Sequence, residues 1–141
     1  MRWSDPFEQL SVGERFESGR RAVRDTDVIV FSALTGDWHP QHCDAEWAQR
    51  SPFGERIAHG MLSAGLISAV LGTRLPGPGS LYMRQSLRFA APVKIGDTVK
   101  ATATVTGLNA EKKRATLSTV CTVGDEVVID GEAYVQVPSR P

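Results

Sequence analysis

A carboxylate and three imidazoles lie in one short part of this sequence. All three histidines of the chain, His39, His42 and His59, fall between positions 39 and 59. Asp37 and His42 flank Pro40, and a carboxylate and an imidazole in a proline-stiffened loop can bind one water and share its protons, as general acid-base catalysis requires. Spacing alone favours a structural role slightly, in which Asp37 caps a turn and His42 bonds to backbone.

The same segment also offers the donor atoms of a metal site. It contains two imidazoles and two carboxylates, which zinc and non-haem iron both accept: Asp37, His39, His42 and Asp44. Metal motifs of this kind place their ligands on a helix, as in HExxH, whereas these residues lie on both sides of a proline. We therefore predict no metal ion here.

A second candidate feature begins at Gly60, where GMLSAGLISAVLGT continues to Thr73. This run is apolar nearly all round and predicts a helix that is buried on every side. The free amides at the N-terminus of such a helix favour a developing oxyanion, and a glycine there lets a ligand approach closely. Gly60 is therefore a candidate oxyanion donor, and close packing against a sheet would explain the glycine equally well.

The residues before this helix predict short elements that would position the site. Asp25 and Thr26 offer N-cap chemistry to a first helix, which ends at Gly36. The next segment, DWHPQHCD, is predicted to be irregular, because Pro40 blocks continuation of a helix. Asp44 then caps a brief further helix.

After the apolar helix, the sequence has the pattern of antiparallel strands. Apolar and polar residues alternate over 81–89, 98–106, 114–123 and 127–137, with hairpin turns near 107–113 and at 124–125. One buried helix followed by a meander predicts an α+β fold, a single domain in which a curved antiparallel sheet wraps a long central helix.

Composition limits the classes of partner. Sixteen basic residues balance sixteen acidic ones, so no net field favours nucleic acid or an anionic membrane. The two cysteines, Cys43 and Cys121, do not form a CxxC pair, and two free thiols fit a cytoplasmic location. The longest apolar stretch is too short to span a bilayer, and the first residues lack the pattern of a signal peptide.

Two blocks of the chain resemble the MaoC-like (R)-specific enoyl-CoA hydratases, a family with the hot-dog fold. The first is FSALTGDWHPQHCDAEWA, from Phe31 to Ala48, which is similar to the family's Gly-Asp-x-Asn-Pro-x-His-x-Asp motif. The second, from Arg56 to Val99, is similar to the family's central helix, glycine-proline turn and first long strand. The resemblance implies one hot-dog domain over 1–141, with its core at about 10–138, and a homodimer.

The resemblance also implies roles for individual residues. Asp37 and His42 would form the catalytic dyad, and the Gly60 N–H would polarise the thioester carbonyl. Four further residues would contact or hold the substrate, with the serine maintaining hydrogen bonds and the leucine lining the acyl pocket: His39, His59, Ser68 and Leu71. His39 departs from the family motif, which has asparagine there, so we expect it to alter substrate choice, pH dependence or reaction direction.

The implied reaction is addition of water to trans-2-enoyl-CoA to give (R)-3-hydroxyacyl-CoA, or the reverse, without a metal or redox cofactor. The acyl group would be carried by CoA or by acyl-carrier protein. Two alternatives stay open. One is a thioesterase of the same fold, in which the carboxylate activates water towards the carbonyl. The other is a non-catalytic acyl-thioester binder or the accessory subunit of a heterodimeric dehydratase, with His39 marking an altered site.

Overall fold

The computed structural model describes residues 6–139, so the first five and last two residues of the predicted domain lie outside the described part. A 3-10 turn, Phe7–Gln9, precedes four helices and seven strands. In chain order these are β1 Arg15–Glu17, β2 Arg21–Ala22, α1 Asp25–Thr35, α2 Pro40–Cys43, α3 Ala45–Gln49, α4 Gly60–Thr73, β3 Leu81–Gln85, β4 Arg88–Phe89, β5 Thr98–Asn109, β6 Arg114–Val123 and β7 Glu126–Gln136.

All seven strands form one antiparallel sheet with the order β1-β5-β6-β7-β3, in which β2 also pairs with β5 and β4 with β7. The alternation predicted for 98–106 is confirmed, because four alternate residues of β5 are buried: Val99, Ala101, Ala103 and Val105. The strand predicted over 114–123 has the same bounds in β6, and 124–125 forms the predicted turn.

The central helix α4 has the predicted bounds and packs on the sheet through Ile67, Val70 and Leu71. The prediction that it is buried on every side is wrong, because the sheet covers one side only. Met61 is 56% exposed, and the small residues that follow on the same side of α4, including Ser68, are also exposed. The architecture is still a curved sheet around one helix, as expected of a hot-dog domain.

The single strand predicted over 81–89 is divided into β3 and β4. The division follows from close packing of two backbones: a Cβ on Gly131 would lie 1.9 Å from the Ser86 carbonyl oxygen. Leu81, Met83 and Phe89, predicted to share one apolar face, are 61%, 44% and 54% exposed. β3 is the last strand at one end of the sheet formed by residues 6–139.

The first helix differs from its prediction only at its start. Its N-cap is Arg24 and not Asp25 or Thr26, and the Asp27 carboxylate accepts the Arg24 backbone N–H at 2.8 Å. Gly36 ends the helix as predicted, with φ of 79° in the left-handed region that glycine adopts readily. No helix formed by residues 6–139 combines the length and the apolar composition that spanning a bilayer requires.

Candidate active site

His42 lies on the one-turn helix α2. The segment 37–44 was predicted to be irregular, and this prediction is wrong for the four helical residues Pro40–Cys43. Pro40 starts the turn and does not prevent it, because a proline has the right φ for the first helical position and its missing N–H leaves no donor unpaired there. His39, in the extended conformation expected before a proline, is the N-cap, and its Nδ1 accepts the Gln41 N–H at 2.9 Å.

The ring of His42 has a defined tautomer. Its Nδ1 lies 2.8 Å from the Ile57 carbonyl oxygen, and a carbonyl can only accept, so Nδ1 carries the hydrogen and Nε2 keeps a free lone pair. Partial burial is the largest cause that lowers the pKa of His42 below the usual imidazole value. The neutral ring is therefore the favoured form, and its Nε2 can accept a proton.

His59 lies beneath His42 and is almost completely buried, with 2% of its surface exposed. The two ring centroids are 3.9 Å apart at an interplanar angle of 31°. The Nε2 of His59 donates to the Asp37 carbonyl oxygen at 3.1 Å and lies 3.1 Å from the Ser32 hydroxyl. His59 therefore connects the start of α4 to the segment after α1, which carries Asp37.

Asp37 follows the left-handed Gly36 and presents an exposed carboxylate. This carboxylate accepts the His39 backbone N–H at 3.3 Å. One side-chain ligand atom from each of Asp37, His42 and His59 lies within 4.8 Å of the others. A water between the Asp37 carboxylate and the His42 Nε2 would be within reach of both, which is the arrangement that acid-base catalysis on one water requires.

Gly60 is the first residue of α4, where backbone N–H groups have no partner inside the helix. A Cβ at this position would lie 2.4 Å from Phe89 Cε1, so the glycine also allows the Phe89 ring to approach. The packing explanation for Gly60 is thus observed. Gly60 is also exposed and lines both cavities described below, so the oxyanion role stays a prediction that the geometry permits.

Two cavities meet at these residues. One, of about 310 Å³, is lined mainly by apolar side chains, among them Phe53, Phe89 and Ile129. The other is lined by Phe31, Thr35, Asp37 and Met61, among other residues. Both cavities are lined by His42, His59 and Gly60, so these three residues lie where the two cavities meet.

A family model described as a MaoC-like domain matches residues 8–128. The chain belongs to this family. It is 55% identical over 134 residues to the (R)-specific enoyl-CoA hydratase of Rhodospirillum rubrum, with 95% of this chain and 92% of the relative covered. The 3-hydroxybutyryl-CoA dehydratase of Methylorubrum extorquens is 53% identical, with coverages of 95% and 85%. The solved (R)-hydratase of Aeromonas caviae, involved in PHA biosynthesis, superposes with a TM-score of 0.89 at 41% identity, covering 93% of this chain and 99% of that one. The predicted family and hot-dog fold are confirmed.

Not every predicted residue of this MaoC-like domain lies at the cavities. Ser68 is exposed on α4, Leu71 is 1% exposed within the core, and His39 acts through the cap of α2. None of these three lines either cavity, and their assignment to substrate binding stays a prediction.

Two groups that support the site were not predicted from the sequence. One is the Ile57 carbonyl oxygen that fixes the His42 tautomer. Because every residue has a backbone carbonyl, the sequence does not show which one bonds to His42. The other is Ser32, fully buried against His59. Val28 and Ser32 are the buried residues of α1, four positions apart, and one apolar residue at that spacing does not form a stripe that would mark Ser32 in the sequence.

The metal-binding potential of the site differs from the four-residue set considered above. Asp44 is used to cap α3, where it accepts the Trp47 N–H at 3.0 Å. The three side chains that do converge, those of Asp37, His42 and His59, are the right types for an ion. The His59 Nε2 already bonds to the Asp37 carbonyl oxygen and lies beside Ser32, so only its Nδ1, which has no hydrogen-bond partner, is free for an ion, and the expectation of no metal stays a prediction.

Proposed function

We propose that this protein is a hydro-lyase that adds water to trans-2-enoyl-CoA to give (R)-3-hydroxyacyl-CoA, and catalyses the reverse dehydration. The observation that carries the proposal is the convergence of Asp37 and His42 at the junction of two cavities. The names of the similar proteins from Rhodospirillum rubrum and Methylorubrum extorquens, a hydratase and a dehydratase, support it.

In the hydration direction, Asp37 and His42 act together on one water. The neutral His42 Nε2 accepts a proton from that water while the Asp37 carboxylate holds it by a hydrogen bond. The water oxygen forms a bond to C3, and the electrons of the C2–C3 double bond move towards the thioester carbonyl. The pair then returns a proton to C2 on the same face, and dehydration uses the same groups in reverse order.

The Gly60 N–H stabilises the negative charge that reaches the carbonyl oxygen. It stands at the N-terminus of the 14-residue helix α4, where the helix dipole and unpaired amides favour an anion. Because this donor is fixed before the reaction, its hydrogen bond is strongest when the negative charge on the carbonyl oxygen is greatest, in the transition state. It therefore lowers the activation barrier and does not only stabilise the bound substrate.

The thioester would lie across His42 and Gly60, with the acyl chain and the carrier arm extending into the two cavities. Apolar lining by Phe53, Phe89 and Ile129 fits the hydrocarbon parts of such a substrate. We propose CoA as the carrier, and acyl-carrier protein is the alternative that a direct comparison of substrates would test.

We further propose that the chain functions as a homodimer in the cytoplasm. β3 exposes Leu81, Tyr82 and Met83, β4 exposes Phe89, and a second copy would cover these apolar side chains and the β3 edge, which has no neighbouring strand among residues 6–139. Cys43 and Cys121 are free, which fits a reducing compartment.

The proposal is tested with the purified chain and enoyl-CoA substrates of short, medium and long acyl chain. We expect the enoyl absorbance to fall and the product to be the (R)-3-hydroxyacyl-CoA. Release of free CoA thiol is followed in the same samples, because thiol release without loss of the double bond would show a thioesterase instead. No reaction with any chain length, without a second subunit, would favour the accessory-subunit alternative.

A further inference from the structure

The side chain that caps the catalytic turn is itself an imidazole. His39 is the N-cap of α2, and its Nδ1 accepts the Gln41 backbone N–H at 2.9 Å. Because a backbone amide can only donate, Nδ1 must be unprotonated in this structure, and the neutral ring carries its hydrogen on Nε2. A second proton on the ring would occupy Nδ1 and remove the acceptor.

The capped residue is fixed on several sides. Gln41 is 7% exposed, its side-chain amide donates to the Glu55 carbonyl oxygen at 3.0 Å, and its own carbonyl accepts the Ile57 N–H at 3.2 Å. His42 is the next residue, and its backbone N–H bonds to the His39 carbonyl at 2.9 Å. The His39 cap is therefore one of several hydrogen bonds that hold the turn carrying the His42 ring, and it is the one among these whose acceptor is an ionisable side chain.

The groups nearest the His39 ring or its backbone come from the residues after α1, from α2 and from α3. Asp37, after α1, accepts the His39 backbone N–H at 3.3 Å. The His42 ring on α2 lies 5.8 Å away, and α3 presents the uncharged Trp47 ring edge-on at 5.4 Å. Asp44, at the start of α3, is held by the Trp47 N–H. Positive charge on His39 would also disfavour protonation of His42.

We propose that His39 is a positioning residue, whose neutral ring supports the His42 turn and whose protonation removes this support, so that activity is reduced by the factor of a lost cap as pH falls. His39 acts through α2 and not by touching the substrate, since it lines neither cavity. The expected effect on catalysis rests on the hydratase function proposed above, whereas the hydrogen bond itself is independent of that function.

The structural half of the proposal is tested by NMR on the full chain, labelled with 15N, from about pH 8 to about pH 5, the range in which imidazoles gain protons. We expect a bare Nδ1 on His39 at high pH and a shift of the Gln41 amide signal that follows His39 protonation. The proposal is overturned if the Gln41 amide does not move with the His39 ring, or if Nδ1 carries a hydrogen at high pH.

The catalytic half uses two variants of the same position. His39→Asn keeps an acceptor that can cap the turn and cannot titrate, whereas His39→Ala removes the acceptor. At about pH 8 we expect His39→Asn to lose no more than about threefold in kcat/KM and His39→Ala to lose on the order of fivefold to tenfold, the size of a lost cap. Circular dichroism at each pH confirms that the variants are folded.

The pH profile then separates a titrating cap from a passive one. Wild type should lose kcat/KM in two steps on the acid side, one of about fivefold to tenfold when the cap is lost and one when His42 is protonated, while His39→Asn should show only the His42 step, with a slope of one. Superimposable acid limbs for wild type and His39→Asn would overturn the proposal. If wild type hydrates no enoyl-CoA at all, the proposed function fails, and the NMR result alone decides the behaviour of the cap.

Discussion

The β5–β7 meander and the segment from Asp37 to Gly60 are stabilised by different interactions. The meander pairs three long strands by backbone hydrogen bonds and buries one apolar face against α4. The other segment contains short turns, held by hydrogen bonds between side chains and backbone: His39 to Gln41, His42 to Ile57, and His59 to Asp37.

This difference indicates where stability and activity are located. Removing an apolar side chain from the meander leaves a cavity, which lowers the free energy of unfolding without changing the geometry of the turns. Removing a polar group from the segment between Asp37 and Gly60 exposes few apolar atoms, but it displaces or eliminates a group that contacts the reacting water. The variants below test whether the two effects are separable.

The largest expected effect is on activity and comes from the segment. Asp37→Asn removes the carboxylate from the dyad and should reduce kcat/KM for an enoyl-CoA by roughly 10²- to 10⁴-fold, with little change in stability. Asp125→Asn, the same change in an exposed hairpin turn, is the matched control and should remain within twofold of wild type, about the scatter of such assays. Equal activity of the two variants would remove Asp37 from the mechanism.

In the meander we expect the opposite, a large loss of stability with no loss of activity per folded molecule. Leu117 in β6 is fully buried, and Leu117→Ala should lower the free energy of unfolding by about 2–5 kcal/mol, measured by urea denaturation. Ser118→Ala, at the next position on the other face of β6, should change it by less than about 0.5 kcal/mol. We expect kcat/KM per folded molecule to be unchanged in both, and a large loss in Leu117→Ala would show that the two regions are coupled.

His59 should give a smaller effect on activity, because it supports the dyad from below. His59→Phe keeps a ring beneath His42 but loses the donor to the Asp37 carbonyl oxygen, and we expect kcat/KM to fall about tenfold, as for one buried group left unpaired. In His59→Gln the amide can donate in place of Nε2, so its loss should be smaller. If His59→Gln is the more damaged variant, stacking and not hydrogen bonding is the role of His59.

The smallest expected effect is a displacement of the acid limb. Burial lowers the pKa of His42, so its neutral, proton-accepting form persists to lower pH than that of a free imidazole. In His39→Asn, where one imidazole fewer titrates, kcat/KM should be constant at neutral pH and fall with a midpoint below about 6.5. A midpoint above that value would mean that a nearby carboxylate outweighs burial at His42.

The regular part of the molecule was predictable because its signal is local. Alternation gave the burial of β5 and the bounds of β6, and the apolar run from Gly60 to Thr73 gave the bounds of α4. Exposure on the far side of α4 and along β3 was not predictable, since apolar sequence shows what can be buried and not what covers it.

The candidate site was predictable only in its residue types. Asp37, His42 and Gly60 stood out as reactive groups, and the family resemblance combined them. The partners that orient them come from other parts of the chain, such as the Ile57 carbonyl and the buried Ser32, and depend on a fold that the sequence pattern does not describe in atomic detail. The cap by His39 likewise required the position of the Gln41 amide.

The central claim is that Asp37 and His42 act as one unit on one water, and a double-mutant cycle tests it most directly. kcat/KM for enoyl-CoA hydration is measured for wild type, Asp37→Asn, His42→Gln and the double variant. Residues that act as a unit are strongly non-additive, so the double variant should lose about as much as the more damaged single variant. If the loss in kcat/KM of the double variant equals the product of the two single losses, the two side chains act independently, and the claim that they act as one unit is contradicted.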